Sequence, residues 1–373
     1  MPKPGNTFKL YYLLAPFSLI YGIIVGVRNL LFNCGILPSE EYKIPVISVG
    51  NLSLGGTGKT PHTEYLIGLL SQKYKVAVLS RGYKRETKNF LLAGDSDTAL
   101  TIGDEPYQMK RKFPDALVAV DNRRRRGICN LLALPDTQRP EVILLDDAFQ
   151  HRYVTPSLSI LITDYNRLFY KDGMLPFGHL REPKSNMKRA NIIVVSKCAG
   201  NIHPIDFRII ENEMGLQPYQ HLYFTRIVYG KALPVFPVHT DNAAEGPLLN
   251  VENEVLLLAG IASPRLFIAE AQERFKKVTT MLFRDHHVFD RQDIRRIKET
   301  FNRMDSPDKF ILVTEKDAVR LLHNPFIPDE WKKVIYYLPI HINFCKETNL
   351  SFDDCIKNHI TTFRRNNIFH MKQ

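Results

Sequence analysis

A glycine-rich segment in the first quarter of the chain has the residue types of a phosphate-binding loop. Three glycines precede Lys59 and Thr60, between an apolar run, VISVG, and an amphipathic stretch, KTPHTEYLIGLL. Glycines let backbone N–H groups curl around phosphate oxygens, and the following helix adds its partial positive charge. The usual pattern starts with a glycine where Ser53 stands here. The residues assigned to phosphate binding are Ser53, Leu54, Gly55, Gly56, Thr57, Gly58, Lys59 and Thr60.

A second motif, EVILLDDAFQH, predicts a buried strand that ends in Asp146 and Asp147. A carboxylate at that position can hold Mg²⁺ beside a phosphate loop, together with the hydroxyl of Thr60. The alternative is a solvated strand end, which the nearby loop makes the weaker interpretation. The sequence therefore predicts a metal site formed by Thr60, Asp146 and Asp147.

Other titratable residues could act on an acceptor molecule. In IGDEPYQM, Asp104 or Glu105 could serve as a general base for a substrate hydroxyl, although surface turns often carry this pair. In FRDHHVFD, two histidines, His286 and His287, follow Asp285 and could tune a catalytic group or contact phosphate. A structural role is the alternative, and a zinc site lacks further ligands at suitable spacing.

Arginines form two clusters at predicted strand ends. VDNRRRRG contains four consecutive arginines from Arg123, and LSRGYKR contains Arg81. A solvated charge run is the usual explanation of such a cluster. At a strand end, however, Arg81 and Arg123 could contact a phosphate on the substrate.

Short Val/Ile/Leu-rich runs alternate with amphipathic stretches through most of the chain, which is typical of a doubly wound α/β fold with a mostly parallel sheet. We expect a P-loop NTPase-like core, a second smaller α/β domain and an N-terminal membrane-anchor helix. The predicted regions are 1–35 for the anchor, 36–219 for the P-loop core, 220–253 for a linker that could hold a β-hairpin, and 254–373 for the smaller domain.

The N-terminal segment LYYLLAPFSLIYGIIVGV carries no charge and has basic residues on both sides. Its length is near the lower limit for a membrane-spanning helix. We expect a membrane anchor; a buried core helix and a cleaved signal peptide are the alternatives. No A-x-A-type cleavage site follows the segment.

The composition favours anionic partners in a reducing compartment. The formal net charge is +11 and the pI is about 9.3, which suits nucleic acid, an acidic membrane surface or a phosphorylated substrate. The five cysteines are widely spaced and form no CxxC pair, so a disulfide framework is not expected.

An ordered set of motifs identifies a family. SVGNLSLGGTGKT, LSRGYKR, GDEP, LLDDAFQH, GHLREP, AGIASP, RDHHVF and VTEKDAV occur in this order between residues 48 and 319. Together they closely resemble the tetraacyldisaccharide 4′-kinase family of lipid A biosynthesis, whose loop also lacks the first glycine. The resemblance implies a kinase at the cytoplasmic face of the inner membrane. It would transfer the γ-phosphate of ATP to the 4′-hydroxyl of an acylated glucosamine disaccharide 1-phosphate, with no nucleic-acid partner.

The resemblance also implies roles for individual residues. Lys59 would serve the β- and γ-phosphates, and Asp104 would activate the sugar hydroxyl. His286 would be the partner of Asp104, with His287 as the alternative because the doublet leaves the assignment open. Glu182, in LREP, would belong to the nucleotide or hinge region. Ala148 replaces the glycine expected in a DDGFQH motif, and we expect its methyl group to be tolerated.

Two other functions remain as alternatives. A membrane-recruited switch ATPase would resemble the partition ATPases, whose loop reads K-G-G-x-G-K-[ST], but Leu54 stands where the signature lysine belongs. A nucleic-acid-binding protein would account for the positive charge, but no recognised nucleic-acid motif accompanies the arginine run.

Overall fold

The computed structural model describes residues 7–236, 252–346 and 350–370. The strands are β1 (Val46–Gly50), β2 (Val76–Ser80), β3 (Leu91–Leu92), β4 (Leu117–Val120), β5 (Val142–Asp146), β6 (Leu158–Asp164), β7 (Ile192–Ser196), β8 (His221–Tyr229), β9 (Leu233–Pro234), β10 (Glu254–Ala259), β11 (Lys277–Leu282), β12 (Lys309–Thr314), β13 (Ile335–Leu338) and β14 (Ile340–Phe344). The α-helices are α1 (Thr7–Asn33), α2 (Lys59–Ser71), α3 (Ala99–Ile102), α4 (Asp104–Lys112), α5 (Arg124–Leu132), α6 (Pro204–Met214), α7 (Arg265–Arg274), α8 (Arg291–Asn302), α9 (Glu315–Leu322) and α10 (Phe352–His370).

A nine-stranded sheet forms the larger part of the structure. Its order is β14-β8-β7-β6-β1-β5-β2-β4-β3, and only the edge strands β3 and β14 run antiparallel to their neighbours. The central strands are buried over their whole length because helices cover both faces. The parallel strands all end at one edge, where open α/β sheets bind ligands. The predicted doubly wound fold is therefore confirmed.

A second sheet of five strands has the order β11-β10-β12-β13-β9, with only β9 antiparallel. The chain passes between the two sheets at two adjacent points, near Gly230 and Pro339, where the Gly230 amide donates to the Pro339 carbonyl at 2.9 Å. The smaller α/β domain is thus also present, and it is linked to the large sheet through two neighbouring segments.

The last strand and helix return to the large sheet, which differs from the predicted boundary. Pro339 divides the apolar run KVIYYLPIHINF into β13 of the small sheet and β14 of the large sheet. Phe352, Ile356 and Ile360 of α10 then pack into the core of the large sheet. The predicted linker, 220–253, likewise contains β8 of the large sheet, and its residues 237–251 lie outside the described part of the chain.

Helix α1 packs against the large domain with one of its faces. Ser18 Oγ donates to the Met174 carbonyl at 3.1 Å, and Tyr21 Oη donates to the Arg181 carbonyl at 3.0 Å. Leu14–Asn33 has a mean hydropathy of 1.6, and among the described helices it alone is long and apolar enough to cross a membrane. Only 6% of that segment is buried, so its other face presents apolar side chains to the surroundings.

Close packing at the end of β1 generates a first prediction. A Cβ added to Gly50 would lie 2.6 Å from Cβ and 2.7 Å from the backbone N of Phe149. We expect Gly50→Ala to lower the free energy of unfolding by about 1–3 kcal/mol in urea denaturation, because the backbone beside the phosphate loop must shift. The control is Gly68→Ala, within α2, where the new Cβ meets Phe113 at an ordinary 3.6 Å. Equal losses in both variants would contradict the packing argument.

Candidate active site

The phosphate loop begins in extended backbone, which explains the serine at its first position. Ser53 forms an antiparallel bridge with Leu180, and the Leu54 amide donates to the His179 carbonyl at 2.8 Å. The pairing holds this part of the loop against the segment that contains the LREP motif. A serine fits there without strain, because Ser53 does not adopt a positive φ angle.

Glycine is required further along the loop. Gly55 and Gly58 have φ angles of 98° and 88°, which L-residues with side chains rarely adopt. A Cβ at Gly55 would also lie 2.9 Å from the Arg167 guanidinium. These two glycines turn the chain so that successive amides can face the same point.

The loop carbonyls are held away from its centre. Four of them accept hydrogen bonds from side chains: Leu54 O from Arg167 Nη2 (2.5 Å), Gly56 O from Lys197 Nζ, Thr57 O from Ser196 Oγ (2.5 Å) and Gly58 O from His62 Nδ1 (2.7 Å). The amides of Gly55, Gly56, Gly58, Lys59 and Thr60 have no protein acceptor within the described part of the chain. Outward carbonyls and unpaired amides form a nest for an anion, at the start of α2.

Two neighbouring carboxylates lie at the end of β5, Asp146 as its last residue and Asp147 directly after it, and they differ in their surroundings. Asp146 is buried and accepts hydrogen bonds from Thr63 Oγ1 at 3.2 Å and Ser80 Oγ at 3.3 Å. Burial, together with the charges of Glu105 and Asp147, raises the pKa of Asp146 to about 6. Burial would also raise the pKa of Asp147, but the charges of Lys59 and Arg181 outweigh it and lower that pKa.

The oxygen donors of Thr60, Asp146 and Asp147 suit Mg²⁺. Within the described residues there is no group of three or more His, Cys, Asp or Glu side chains that could enclose a metal ion. Mg²⁺ in phosphate-transfer sites takes only one or two carboxylates and completes its shell with phosphates and water. Lys59 Nζ lies 3.4 Å from Asp147 Oδ1, at the same end of the loop.

The structure brings Asp104 and His286 together, although 181 residues separate them along the chain and they belong to different domains. His286 Nδ1 lies 3.1 Å from Asp104 Oδ2, and Arg320 donates to the same oxygen from Nε at 2.9 Å and Nη2 at 2.8 Å. Burial would raise the pKa of Asp104, but His286, Arg320 and Lys316 outweigh burial and lower it to about 2. Asp104 is therefore a fully charged acceptor of hydrogen bonds.

The two adjacent histidines have separate partners. His287 Nε2 lies 2.6 Å from Asp293 Oδ2, and its ring stacks on Phe283 with the centroids 4.8 Å apart. His286 instead has a φ angle of 57° and turns toward Asp104. The geometry thus favours His286 as the partner of Asp104 and gives His287 a role within its own domain.

Three of the four consecutive arginines are engaged by protein groups. Arg124 is buried and donates to the carbonyls of Asp121 and Asp146, Arg125 pairs with Glu40, and Arg126 forms a two-nitrogen contact with the Asp121 carboxylate. In the described part of the chain, the Arg123 side chain has no hydrogen-bond or ion-pair partner. It lines a cavity of about 590 Å³ together with His151 and Tyr153. Arg81 is exposed; desolvation and the charges of Arg124 and Arg81 lower the pKa of half-buried His151 to about 4.

Glu182 does not contact the phosphate loop. Its buried carboxylate pairs with Arg189 and accepts from Asn186 Nδ2 at 3.0 Å, while Arg189 stacks over Phe149. Its neighbour Arg181 lies closer to the loop, with Nη1 3.4 Å from Asp147 Oδ1. Ala148 is buried in a hydrophobic cluster and has no positive φ angle, so a methyl group fits where a glycine was expected.

Sequence reasoning missed the residues that hold the loop and the carboxylate pair in place: His62, Arg167, Arg181, Ser196, Lys197 and Arg320. Two of them had a local signal, since Arg181 stands in LREP and Lys197 follows a buried strand run. Arg167 and Arg320 had none, because their partners lie more than one hundred residues away.

A P-loop facing a carboxylate–histidine pair across two α/β domains defines a phosphotransferase of the kinase class. The sequence profile of the family described as Tetraacyldisaccharide-1-P 4′-kinase matches residues 10–360. The chain is 54% identical to the Tetraacyldisaccharide 4′-kinase of Parabacteroides distasonis, covering 97% of this chain and 98% of the relative, and 47% identical to that of Bacteroides thetaiotaomicron, covering 98% and 97%. The chain belongs to the tetraacyldisaccharide 4′-kinase family, and it is a kinase.

A solved structure agrees with this assignment. The crystal structure of the "apo" form of LpxK from Aquifex aeolicus in complex with ATP superimposes with a TM-score of 0.70 and 27% sequence identity, covering 95% of this chain and 99% of that one.

Buried His62 generates a pH prediction. Burial lowers the pKa of His62 to about 4, whereas an unfolded histidine titrates near 6.5. As the pH falls from 6.5 to 4, His62 binds a proton in the unfolded chain but stays neutral in the folded protein. The free energy of unfolding of the wild type therefore falls by about 1.4 kcal/mol for each pH unit. In His62→Gln this contribution to the pH dependence of stability is absent, because glutamine does not titrate. We expect the stability difference between wild type and variant to shrink from about pH 7 to about pH 5 in urea unfolding.

The matched control for His62 is His221→Gln, at an exposed position at the start of β8. Its stability difference from wild type should stay constant over the same pH range. A constant difference for His62→Gln as well would show that His62 is not held in its neutral form.

Proposed function

We propose that the protein transfers the γ-phosphate of ATP to the 4′-hydroxyl of an acylated glucosamine disaccharide 1-phosphate in lipid A biosynthesis. The observation that carries this proposal is the placement of a phosphate nest and a charged carboxylate at one sheet edge. Glu105, next to Asp104, lies close enough to Asp146 for its charge to raise the pKa of that residue. The proposed acceptor-side segment thus lies within electrostatic reach of Asp146, a proposed metal ligand.

ATP is the proposed phosphate donor. The Aquifex aeolicus relative is in complex with ATP, and residues 53–60 of this chain form a nest of amides that suits phosphate. Lys59 would exchange its contact with Asp147 for the β- and γ-phosphates, where its charge offsets the charge that develops during transfer. Mg²⁺ held by Thr60, Asp146 and Asp147 would supply further charge neutralisation. Burial, together with the charges of Glu105 and Asp147, raises the pKa of Asp146, and a cation at this position would offset these effects.

Asp104 is the proposed acceptor of the hydroxyl proton. The hydroxyl oxygen forms a bond to the γ-phosphorus, the bridging P–O bond breaks, and its electron pair leaves with ADP. In the loose transition state of phosphate transfer the hydroxyl loses its proton late, so a weakly basic carboxylate suffices. His286 and the second domain would close over this group and exclude water, which would otherwise compete as acceptor.

The cavity beside Arg123 is the proposed position of the phosphorylated end of the acceptor. Arg123 and Arg81 would supply positive charge, since the neighbouring arginines are already engaged. Tyr153 lines this cavity and also contacts Phe32 of α1, with ring centroids 5.0 Å apart. A lipid whose acyl chains remain at the apolar face of α1 could therefore present its head group to the site.

Helix α1 is the proposed attachment to the cytoplasmic face of the inner membrane. Its hydrogen bonds at Ser18 and Tyr21 hold one face to the protein, while Phe17, Ile23 and Ile24 on the other face are more than half exposed. Such a helix can insert its apolar face into one leaflet, and nearby basic residues add roughly 1 kcal/mol each at an anionic surface.

A transfer assay tests the proposed function. Wild type should label the acylated disaccharide from γ-labelled ATP in detergent micelles, and Lys59→Ala and Asp104→Ala should each lose about 100-fold or more in rate. Lys332→Ala and Asp329→Ala are the matched controls, because these residues form an ion pair remote from the cleft. ATP consumption without labelled lipid would replace the kinase by a switch ATPase. Full activity of Asp104→Ala would remove Asp104 as the proton acceptor.

A vesicle assay tests the attachment. Ile23 and Ile24 are 57% and 62% exposed, and each fully inserted isoleucine contributes roughly 1.5–3 kcal/mol. We expect Ile23→Ser combined with Ile24→Ser to reduce co-sedimentation with anionic vesicles by about tenfold or more. The control combines Ile205→Ser and Ile209→Ser, two exposed positions on α6. Equal retention of both double variants would reject α1 as the attachment.

A further inference from the structure

The guanidinium of Arg320 is held by contacts within the small domain, in addition to its contacts with the active site. Its Nη1 donates to the Gly260 carbonyl at 2.8 Å and to Asp317 Oδ1 at 2.7 Å. Asp317 is fully buried and is itself fixed by Thr314 Oγ1 at 2.6 Å and the Gly260 amide at 2.8 Å. The Arg320 side chain is only 6% exposed, so its guanidinium has one available orientation.

The remaining nitrogens of this guanidinium act on a single carboxylate oxygen. Arg320 Nε and Nη2 lie 2.9 and 2.8 Å from Asp104 Oδ2, and His286 Nδ1 lies 3.1 Å from the same atom. Three donors thus converge on Oδ2. Within the described part of the chain Oδ1 has no hydrogen-bond partner, although the Asp104 side chain is 19% exposed.

We propose that Arg320 is a positioning residue for phosphate transfer: by filling Oδ2 of Asp104, it fixes the carboxylate so that Oδ1 faces the acceptor hydroxyl. This inference rests on the proposed function, in which Asp104 receives the hydroxyl proton. When the hydroxyl oxygen bonds to the γ-phosphorus and the bridging P–O bond breaks, the proton passes to Oδ1. Arg320 itself contacts neither substrate.

The groups around Asp104 explain why a single positive charge would not suffice to orient its carboxylate. Lys316, also on α9, reaches toward Asp104 but is paired with Glu105 at 2.7 Å, and its Nζ lies 3.3 Å from His286 Nε2. His286 comes from the segment after β11, and it provides one hydrogen bond. The planar guanidinium of Arg320 directs two N–H donors, from Nε and Nη2, at the same oxygen and thereby holds that oxygen in place.

The test compares kcat, KM and their pH profiles for the full-length enzyme in detergent micelles. We expect Arg320→Gln to lower kcat by about 100-fold while KM for ATP stays within about twofold, because carboxylate orientation is lost and the phosphate loop is untouched. The acidic limb of the plot of kcat against pH should move to higher pH, because the Arg320 charge that helps to keep Asp104 ionised is removed. Arg320→Lys should restore the pH profile but only part of kcat.

A matched variant separates positioning from domain attachment. Lys112 joins α4 to α9 through Glu315 at 3.0 Å and Glu64 at 2.7 Å, at the end of α4 away from Asp104. Lys112→Met should lower the midpoint of thermal unfolding without moving the acidic limb of the profile. If Arg320→Gln does not fold, Arg320→Lys carries the test through its loss of kcat.

Each outcome decides between the two proposals. Absence of labelled lipid from wild type would overturn the proposed function itself. Transfer by wild type, with Asp104→Ala impaired and both Arg320 variants at wild-type kcat, would overturn only the role of Arg320. A loss of kcat in Arg320→Gln with an unmoved acidic limb, as in Lys112→Met, would also overturn it and leave Arg320 as an ion pair between domains.

Discussion

The outward orientation of the phosphate-loop carbonyls is the constraint on which the rest of the site depends. A loop that binds phosphate must point its amides inward, and each inward amide forces a nearby carbonyl toward the protein. Thr57 is buried, and its carbonyl would cost about 1–3 kcal/mol without a partner, so Ser196 at the end of β7 supplies a donor. Lys197 and Arg167 hold the carbonyls of the exposed residues Gly56 and Leu54. The order of the strands beside β1 is therefore part of the binding site.

A second constraint is the contact between α4 and α9, which joins the two sheets. Lys112 lies between Glu64 and Glu315, and both carboxylates are buried. Burial raises the pKa of Glu64 to about 7 even though Lys112 opposes it. Breaking a buried pair of this kind is costly, which favours one relative arrangement of the helices. The same arrangement places Arg320 and His286 opposite Asp104 at the other end of α4.

The position of α1 places an apolar surface beside the proposed active site. Arg152, directly after the DDAFQH motif, donates to the Asn29 carbonyl and lies over the ring of Phe32. The helix is thereby fixed to the strand edge that carries Asp146 and Asp147. Its apolar face and the arginine-lined cavity adjoin one another where Phe32 contacts Tyr153. The proposed phosphate-transfer site and the proposed attachment therefore lie on one side of the molecule.

The sequence by itself determined the features whose partners are close along the chain. The glycines, Lys59 and Thr60 specify a phosphate loop because strand, turn and helix follow each other directly, and the Val/Ile/Leu runs specify a buried parallel sheet. Tertiary structure alone decided which side chains of each set face the cleft or cavity and which are engaged elsewhere in the protein. It selected His286 over His287 through Asp293, and Arg123 over its three neighbours through Asp121, Glu40 and Asp146. It also returned β14 to the large sheet and directed Glu182 away from the loop. In each case the residue that engages the side chain comes from a distant part of the sequence, or the contact is made to the backbone. The spacing of residues along the chain does not predict contacts of either kind.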